Sequence, residues 1–149
     1  MSQLIIRSAQ EDDVQEMAGL DRVCFADPWS EESFAYELKL NQRAFYIAAE
    51  IEGRLVGYAG LWAILDEGHI TNVAVAPEYR RKGIGRALVT SLMEVAEENG
   101  LTSFTLEVRE SNLPAQKLYT ELDFKPAGIR KGYYHDNGEN AVIMWRGRE

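Results

Sequence analysis

Cysteine occurs once in this chain of 149 residues, as Cys24. A lone thiol excludes an intrachain disulfide and permits a reducing compartment. It cannot build a zinc site by itself, and His69 and His135 lack partner ligands at useful spacing. No metal is therefore expected. Long apolar runs are missing too. Leu4-Ile5-Ile6 is too short for a signal peptide, and no segment reaches the length of a membrane span. The expectation is a cytoplasmic protein with no membrane partner. Positive charge is the minority sign, with 16 Lys and Arg against 24 Asp and Glu and a formal charge of −8. That balance argues against nucleic acid as the main ligand. It suits a cationic partner through long-range attraction, or simply keeps the protein soluble. The chain shows no internal repeat, linker or low-complexity tract, so residues 1–149 are expected to form one domain. Several signatures are also absent. There is no G-x-x-x-x-G-K-[ST], no full dinucleotide fingerprint and no G-x-S-x-G nucleophile elbow.

What is present is a globular composition, 46% hydrophobic, with the cations concentrated in one place. Arg80, Arg81, Lys82 and Arg86 fall together in an otherwise acidic chain. They follow Val73-Ala74-Val75-Ala76, small and β-branched residues that predict a buried strand closed by Pro77. They precede Ile84, Leu88, Leu92, Val95 and Ala96, which repeat at helical spacing. The order is strand, basic glycine loop, helix N-terminus. Free N–H groups at the positive end of a helix dipole suit a phosphate or pyrophosphate, and Gly83 and Gly85 allow close backbone approach. A solvated basic turn is the other reading of the same residues.

The remaining elements follow in order. Leu4–Ile6 opens as a strand, and Asp12 and Asp13 offer caps for a helix through Val14, Met17, Ala18 and Leu20. Asp27-Pro28-Trp29-Ser30 separates it from a second helix capped by Ser30, with Phe34 and Leu38 inward. Pro28 and Trp29 form either a rigid corner or the wall of a groove. A meander is predicted next, with strands over 44–51, 55–65 and 69–75, joined by turns at Glu52-Gly53 and Asp66-Glu67-Gly68. The helix from Gly83 stops at Asn99-Gly100. In the following strand Phe104, Leu106 and Val108 share one face, and Thr105, Glu107 and Arg109 the other. Asn112 caps a helix bearing Pro114, Ala115, Leu118, Tyr119 and Leu122. Strands at about 128–134 and 140–146 flank the turn Asp136-Asn137-Gly138. The fold class is α/β (α+β): about seven strands in a mostly antiparallel mixed sheet, with helices on both faces.

Arg80-Arg81-Lys82-Gly83-Ile84-Gly85 resembles the pyrophosphate loop R/Q-x-x-G-x-G/A of the GCN5-related N-acetyltransferase (GNAT) superfamily, and the element order matches that superfamily along nearly the whole chain. The resemblance implies acetyl-coenzyme A as cosubstrate, with pantetheine along the strand before the loop. A bulge near residues 72–74 would free backbone amides for it. Amine attack on a thioester needs a neutral amine, hence a proton acceptor, and a donor for the departing thiolate. Glu107 and Tyr119 are the candidates. By position alone Glu107 is equally a solvated strand residue, and Tyr119 part of an apolar stripe.

Leu106-Glu107-Val108-Arg109-Glu110-Ser111-Asn112, followed by Ala115 and Leu118-Tyr119, is similar to the family of ribosomal-protein alanine N-acetyltransferases. Asp27-Pro28-Trp29-Ser30 and Tyr133-Tyr134 are similar to that family's substrate loops. The similarity implies Glu107 as general base and Tyr119 as general acid. It implies coenzyme A contacts from Val73, Ala74, Val75, Asn112 and the loop Arg80, Arg81, Lys82, Gly83, Ile84, Gly85 and Arg86. It implies acceptor contacts from Pro28, Trp29 and Tyr134, and as partner the N-terminus of a ribosomal protein. A member acting on a small amine or a lysine, or a non-catalytic acyl-coenzyme A sensor, would carry the same loop. Asp123 departs from the pattern, standing where a glycine usually follows the tyrosine helix.

Overall fold

The computed structural model describes residues 3–147. Seven strands run β1 Leu4–Ser8, β2 Ala44–Ile51, β3 Arg54–Ile64, β4 Glu67–Val75, β5 Ser103–Arg109, β6 Lys125–Arg130 and β7 Ala141–Arg146. Four helices alternate with them: α1 Val14–Cys24, α2 Glu31–Lys39, α3 Ile84–Glu98 and α4 Leu113–Glu121. The strands form one sheet in the order β1-β2-β3-β4-β5-β7-β6. Every neighbouring pair is antiparallel except β4 and β5. The mixed sheet with helices on both faces agrees with the order read from the sequence.

Two apolar cores explain why the central strands read as continuous hydrophobic runs rather than clean alternation. Ile84, Leu88, Leu92 and Ala96 of α3 pack with Tyr119 and Phe124 on Ile47, Val56, Leu61, Leu106 and Met144. On the opposite face Val14, Met17 and Ala18 of α1 and Phe34 of α2 pack on Tyr46, Ala48, Tyr58 and Ala74. Ser30 caps α2 by accepting from the Ser33 N–H at 3.1 Å, as its position predicts.

Three local expectations are corrected. The β3–β4 turn lies at Leu65-Asp66, where Leu65 has φ +57°, and Gly68 belongs to β4. Gly68 is there for space: a Cβ would come within 2.7 Å of the Phe104 ring. Asp13 does not cap α1 through its side chain. It accepts from the Gln10 N–H at 2.7 Å and pairs with Arg7 at 2.8 Å, anchoring the short turn before the helix. β6 covers 125–130, so Tyr133 and Tyr134 sit in the loop before β7 rather than in a strand. Asp123, with φ +72°, is left-handed, which explains the glycine usual at this place, and the Phe124 N–H closes the helix end on the Tyr119 carbonyl at 2.9 Å.

The feature that positions the site is a fork. β4 pairs with β5 only through Glu67, Gly68 and His69 against Ser103, Phe104 and Thr105. Beyond them the two strands part, and one edge of β4 from Ile70 to Val75 is left open. A bulge accompanies the fork: Gly60 pairs with Asn72 but Leu61 with Ile70, leaving Thr71 as the extra residue. Among the described residues no helix is long and apolar enough to cross a membrane.

Candidate active site

The open edge of β4 leads into the basic loop. The Ala76 N–H bonds to Val56 O at 2.8 Å, so Ala76 faces β3. Antiparallel alternation then turns the N–H and C=O groups of Val73 and Val75 into the fork. Val75 O accepts there from Arg80 Nε at 3.1 Å and Cys24 Sγ at 3.5 Å. After a 3-10 turn at Pro77–Tyr79, two residues are left-handed, Arg81 at φ +63° and Gly83 at φ +81°. Such turns gather backbone N–H groups into an anion-binding concavity at the start of α3.

The four cations are not equivalent. Arg80 is bound to Val75 O and to Cys24 Sγ, and Arg86 is ion-paired with Glu121. Arg81 and Lys82 are exposed, with no hydrogen-bond or ion-pair partner among the described residues. The Ile84 side chain is buried in the core and only its backbone belongs to the loop. Gly85 has ordinary room, its nearest neighbour to an added Cβ being Leu118 at 3.7 Å.

The other prong of the fork carries the titratable groups. Glu107 sits opposite Ile143 on β5, half-buried, and accepts from Arg130 Nε at 3.1 Å through Oε2. Its Oε1 is free of any hydrogen bond among the described residues. The Tyr119 ring is buried edge-on to Phe124 at 5.7 Å. Among the described residues the Tyr119 hydroxyl has no hydrogen-bond partner, yet no buried polar side-chain atom is unpaired. The hydroxyl therefore opens onto accessible space. Burial first, and then the neighbouring Tyr134, push it up to about 12. Burial likewise pushes Tyr134 up to about 12, with Tyr133 adding to it. The Glu107 charge raises the Tyr134 hydroxyl as well.

Arg109 holds this end of the site together, and the sequence reading missed it. Its guanidinium lies over the Tyr134 ring at 4.0 Å and pairs with Asp136 at 2.9 Å and Glu139 at 3.2 Å. Glu139 in turn accepts from the Ser111 N–H at 2.7 Å. Arg109 shares a strand face with Glu107, which was the available signal. Asn112 caps α4 by accepting from the Ala115 N–H at 3.2 Å, so its oxygen is engaged, while its amide NH₂ has no acceptor among the described residues.

The α1–α2 loop is built separately. Pro28 is exposed; Trp29 is half-buried against Phe34, ring centroids 5.4 Å apart. The Trp29 N–H donates to Asp21 Oδ2 at 2.8 Å. Trp29 also lines a shallow depression with Glu32, Tyr36 and Glu37. Among the described residues no hydrogen bond or ring contact joins Trp29 to Tyr134.

A forked mixed sheet with an anion loop at the helix that follows its open strand defines an acyltransferase architecture. The profile of the Acetyltransferase (GNAT) family matches residues 14–124, and the chain belongs to that family. It is 42% identical, over 94% of its length and 93% of the relative, to a Bacillus subtilis (strain 168) protein provisionally named as a [ribosomal protein bS18]-alanine N-acetyltransferase. To the Escherichia coli (strain K12) protein of that name, without the qualifier, it is 37% identical over 93% of this chain and 94% of the other. The crystal structure of the ribosomal-protein-S18-alanine N-acetyltransferase from Escherichia coli superposes with a TM-score of 0.88 at 35% identity, covering 97% of this chain and 93% of that one.

Proposed function

We propose that this enzyme transfers the acetyl group of acetyl-coenzyme A to the free α-amine of a protein N-terminus, in a ribosomal protein that begins with alanine. The names carried by relatives matching nearly the whole chain support the acceptor class. The observation that supports the chemistry is the fork: β4 keeps an open edge that runs into the anion loop, and β5, the other prong, carries Glu107.

In this reading the pyrophosphate lies on the α3 N-terminus and the loop 80–86, with Arg81 and Lys82 as the free cations. The amide-rich arm bonds Val73 and Val75, and the Asn112 NH₂ adds a donor. Val73 or Val75 N–H groups polarise the thioester carbonyl. Glu107 Oε1 accepts the proton of the incoming ammonium, directly or through one water, while Oε2 stays on Arg130. The C–N bond forms as the C–S bond breaks, the Tyr119 hydroxyl donates its proton to the departing thiolate, and the second proton shed by the acylated nitrogen passes through water to reprotonate Tyr119. A hydroxyl pushed up to about 12 stays protonated at neutral pH, as a donor must. Pro28, Trp29 and Tyr134 border the path of an extended peptide.

Mass spectrometry of a peptide panel incubated with acetyl-coenzyme A tests the assignment. Ala-starting peptides are expected to be acetylated at the α-amine, with Ser- and Met-starting peptides slower. Preference for N-terminally blocked lysine peptides would replace the reading with side-chain acetylation. Coenzyme A binding without transfer to any amine would make the protein a sensor.

A further inference from the structure

The two ends of the sheet are finished differently. β6, at one end, carries the usual protections of an exposed edge: Pro126, a bulge between Pro126 and Gly128, and the cations Lys125 and Arg130. β1, at the other end, has no such protection. It pairs with β2 in unbroken register, from Leu4 opposite Ile51 to Ser8 opposite Ile47, and holds no proline, glycine or lysine. Its one cation, Arg7, is held by Asp13 and Glu50. The Ala9 N–H bonds to Tyr46 O at 3.0 Å, so antiparallel alternation turns the backbone groups of Ile6 and Ser8 outward. Of these, Ser8 O accepts from Arg7 Nη1 at 3.1 Å.

This edge opens into a groove. A space of about 700 Å³ lies between β1 and the last turns of α3, with Ile6 and Ser8 on one side and Ser91, Glu94, Val95 and Glu98 on the other. Val95 belongs to the apolar stripe of α3, yet it is 39% exposed here. Glu94, Glu97 and Glu98 are exposed and make no hydrogen bond or ion pair among the described residues. Standing three and four residues apart, they repel one another. They also crowd the negative end of the helix dipole, where α3 has no basic residue in its last turn. These three charges therefore work against the helix that carries them.

We infer that β1 is a docking edge, which takes an extended cationic segment of another protein as an added strand. Backbone bonds to Ile6 and Ser8 would hold that segment, and the groove would select its side chains. Every second residue of an added strand faces α3, so Lys or Arg at alternate positions meets Glu94 and Glu98. A second copy of this chain fits poorly. Two β1 edges paired antiparallel about a twofold axis bring both α3 helices to one face, carboxylates side by side, on chains of formal charge −8. The edge lies three strands from β4, so docking there is separate from acetyl transfer.

Amide NMR on the whole protein tests the inference with a hexapeptide of alternating lysine and valine, blocked at both ends, beside its glutamate–valine counterpart. The lysine peptide is expected to shift amides within 4–8 and 91–98, and to slow exchange at the Ile6 and Ser8 N–H groups about tenfold. Added salt should weaken it. Glu94→Gln combined with Glu98→Gln should weaken binding about tenfold. The same double variant should keep or raise the melting temperature, because it removes repulsion, and should hold acetyl transfer within about twofold of wild type. No shift in β1, shifts confined to the fork, or equal binding of the glutamate peptide would overturn the inference. Sedimentation showing a dimer, with β1 amides protected in it, would overturn it too by giving the edge to a second copy.

Discussion

Replacing Glu107 by Gln separates catalysis from folding more cleanly than any other single change. The side chain keeps its length and an oxygen for Arg130, and loses only the charge and the ability to take a proton. The ion pair it gives up is a weak one. Arg130 is 56% exposed and Glu107 24%, so solvent screens the pair and its stability contribution is about 0–1 kcal/mol. General base catalysis, by contrast, is worth about 10²–10⁴ in rate. At about 1.36 kcal/mol per tenfold, that is roughly 2.7–5.4 kcal/mol of barrier. Turnover of an Ala-starting peptide, followed by thiol release, should fall by that factor while the thermal midpoint moves little. An α-amine loses its own proton near about pH 7.7–8.0. The variant should therefore recover part of its rate as the pH passes through that range. Arg130→Ala supplies the control: it frees Oε2 without touching Oε1, and should alter turnover by less than about tenfold. Near-normal turnover in folded Glu107→Gln, with chemistry rate-limiting, would refute the base assignment and return Glu107 to a surface ion pair.

The glycines of the anion loop should behave differently from one another. Gly83 has φ +81°, so Gly83→Val strains the backbone, and a lowered melting temperature should accompany weakened coenzyme A binding. Gly85 is not left-handed and an added methyl meets nothing closer than 3.7 Å. Gly85→Ala should therefore stabilise α3 by about 0.5–1 kcal/mol while weakening coenzyme A measured by calorimetry; unchanged affinity would remove Gly85 from the site. Tyr119 and Tyr134, each pushed up to about 12, hold their protons more tightly folded than unfolded. That stability is fully present below about pH 10, the unfolded value, and is lost as the pH rises toward 12. Denaturant unfolding across that window should show a falling stability, with a shallower fall in Tyr119→Phe. The same variant should slow transfer, and an unaltered rate would make Tyr119 a core residue only.

The anion loop and the order of elements were legible because both are local. Pro77, the paired glycines and the 3.6-residue stripe from Ile84 are written within one stretch, and each element announces its own period. What was read less well depended on distant partners. Asp66-Glu67-Gly68 has turn composition, but the Phe104 ring demands a glycine at 68 inside the strand. Tyr133 and Tyr134 have strand propensity, yet Arg109 draws the segment around them into a loop through Asp136 and Glu139. Four clustered cations suggested four anion ligands, whereas Arg80 and Arg86 are engaged by groups 5 and 35 residues away.

Two buried carboxylates show where pattern reading could have gone further. Asp21 lies on the stripe of Val14, Met17 and Ala18, and Glu37 follows Phe34 at i+3, so both stand where helical spacing places apolar residues. A carboxylate on a core stripe is costly unless paired or hydrogen-bonded, so the helical pattern alone announces a partner for each. The partners themselves have no periodic signature: Tyr58 is 37 residues from Asp21, and Trp62 is 25 from Glu37. Tyr46, Tyr58 and Trp62 read as ordinary strand aromatics, and only the sheet register brings their polar tips under the two helices. An apolar residue at 21 or 37 would satisfy the same packing at lower desolvation cost. That these carboxylates occupy core positions is accounted for by their polar partners: Asp21 is held by the Tyr58 hydroxyl and the Trp29 N–H, and Glu37 by Trp62, Tyr46 and Asn41.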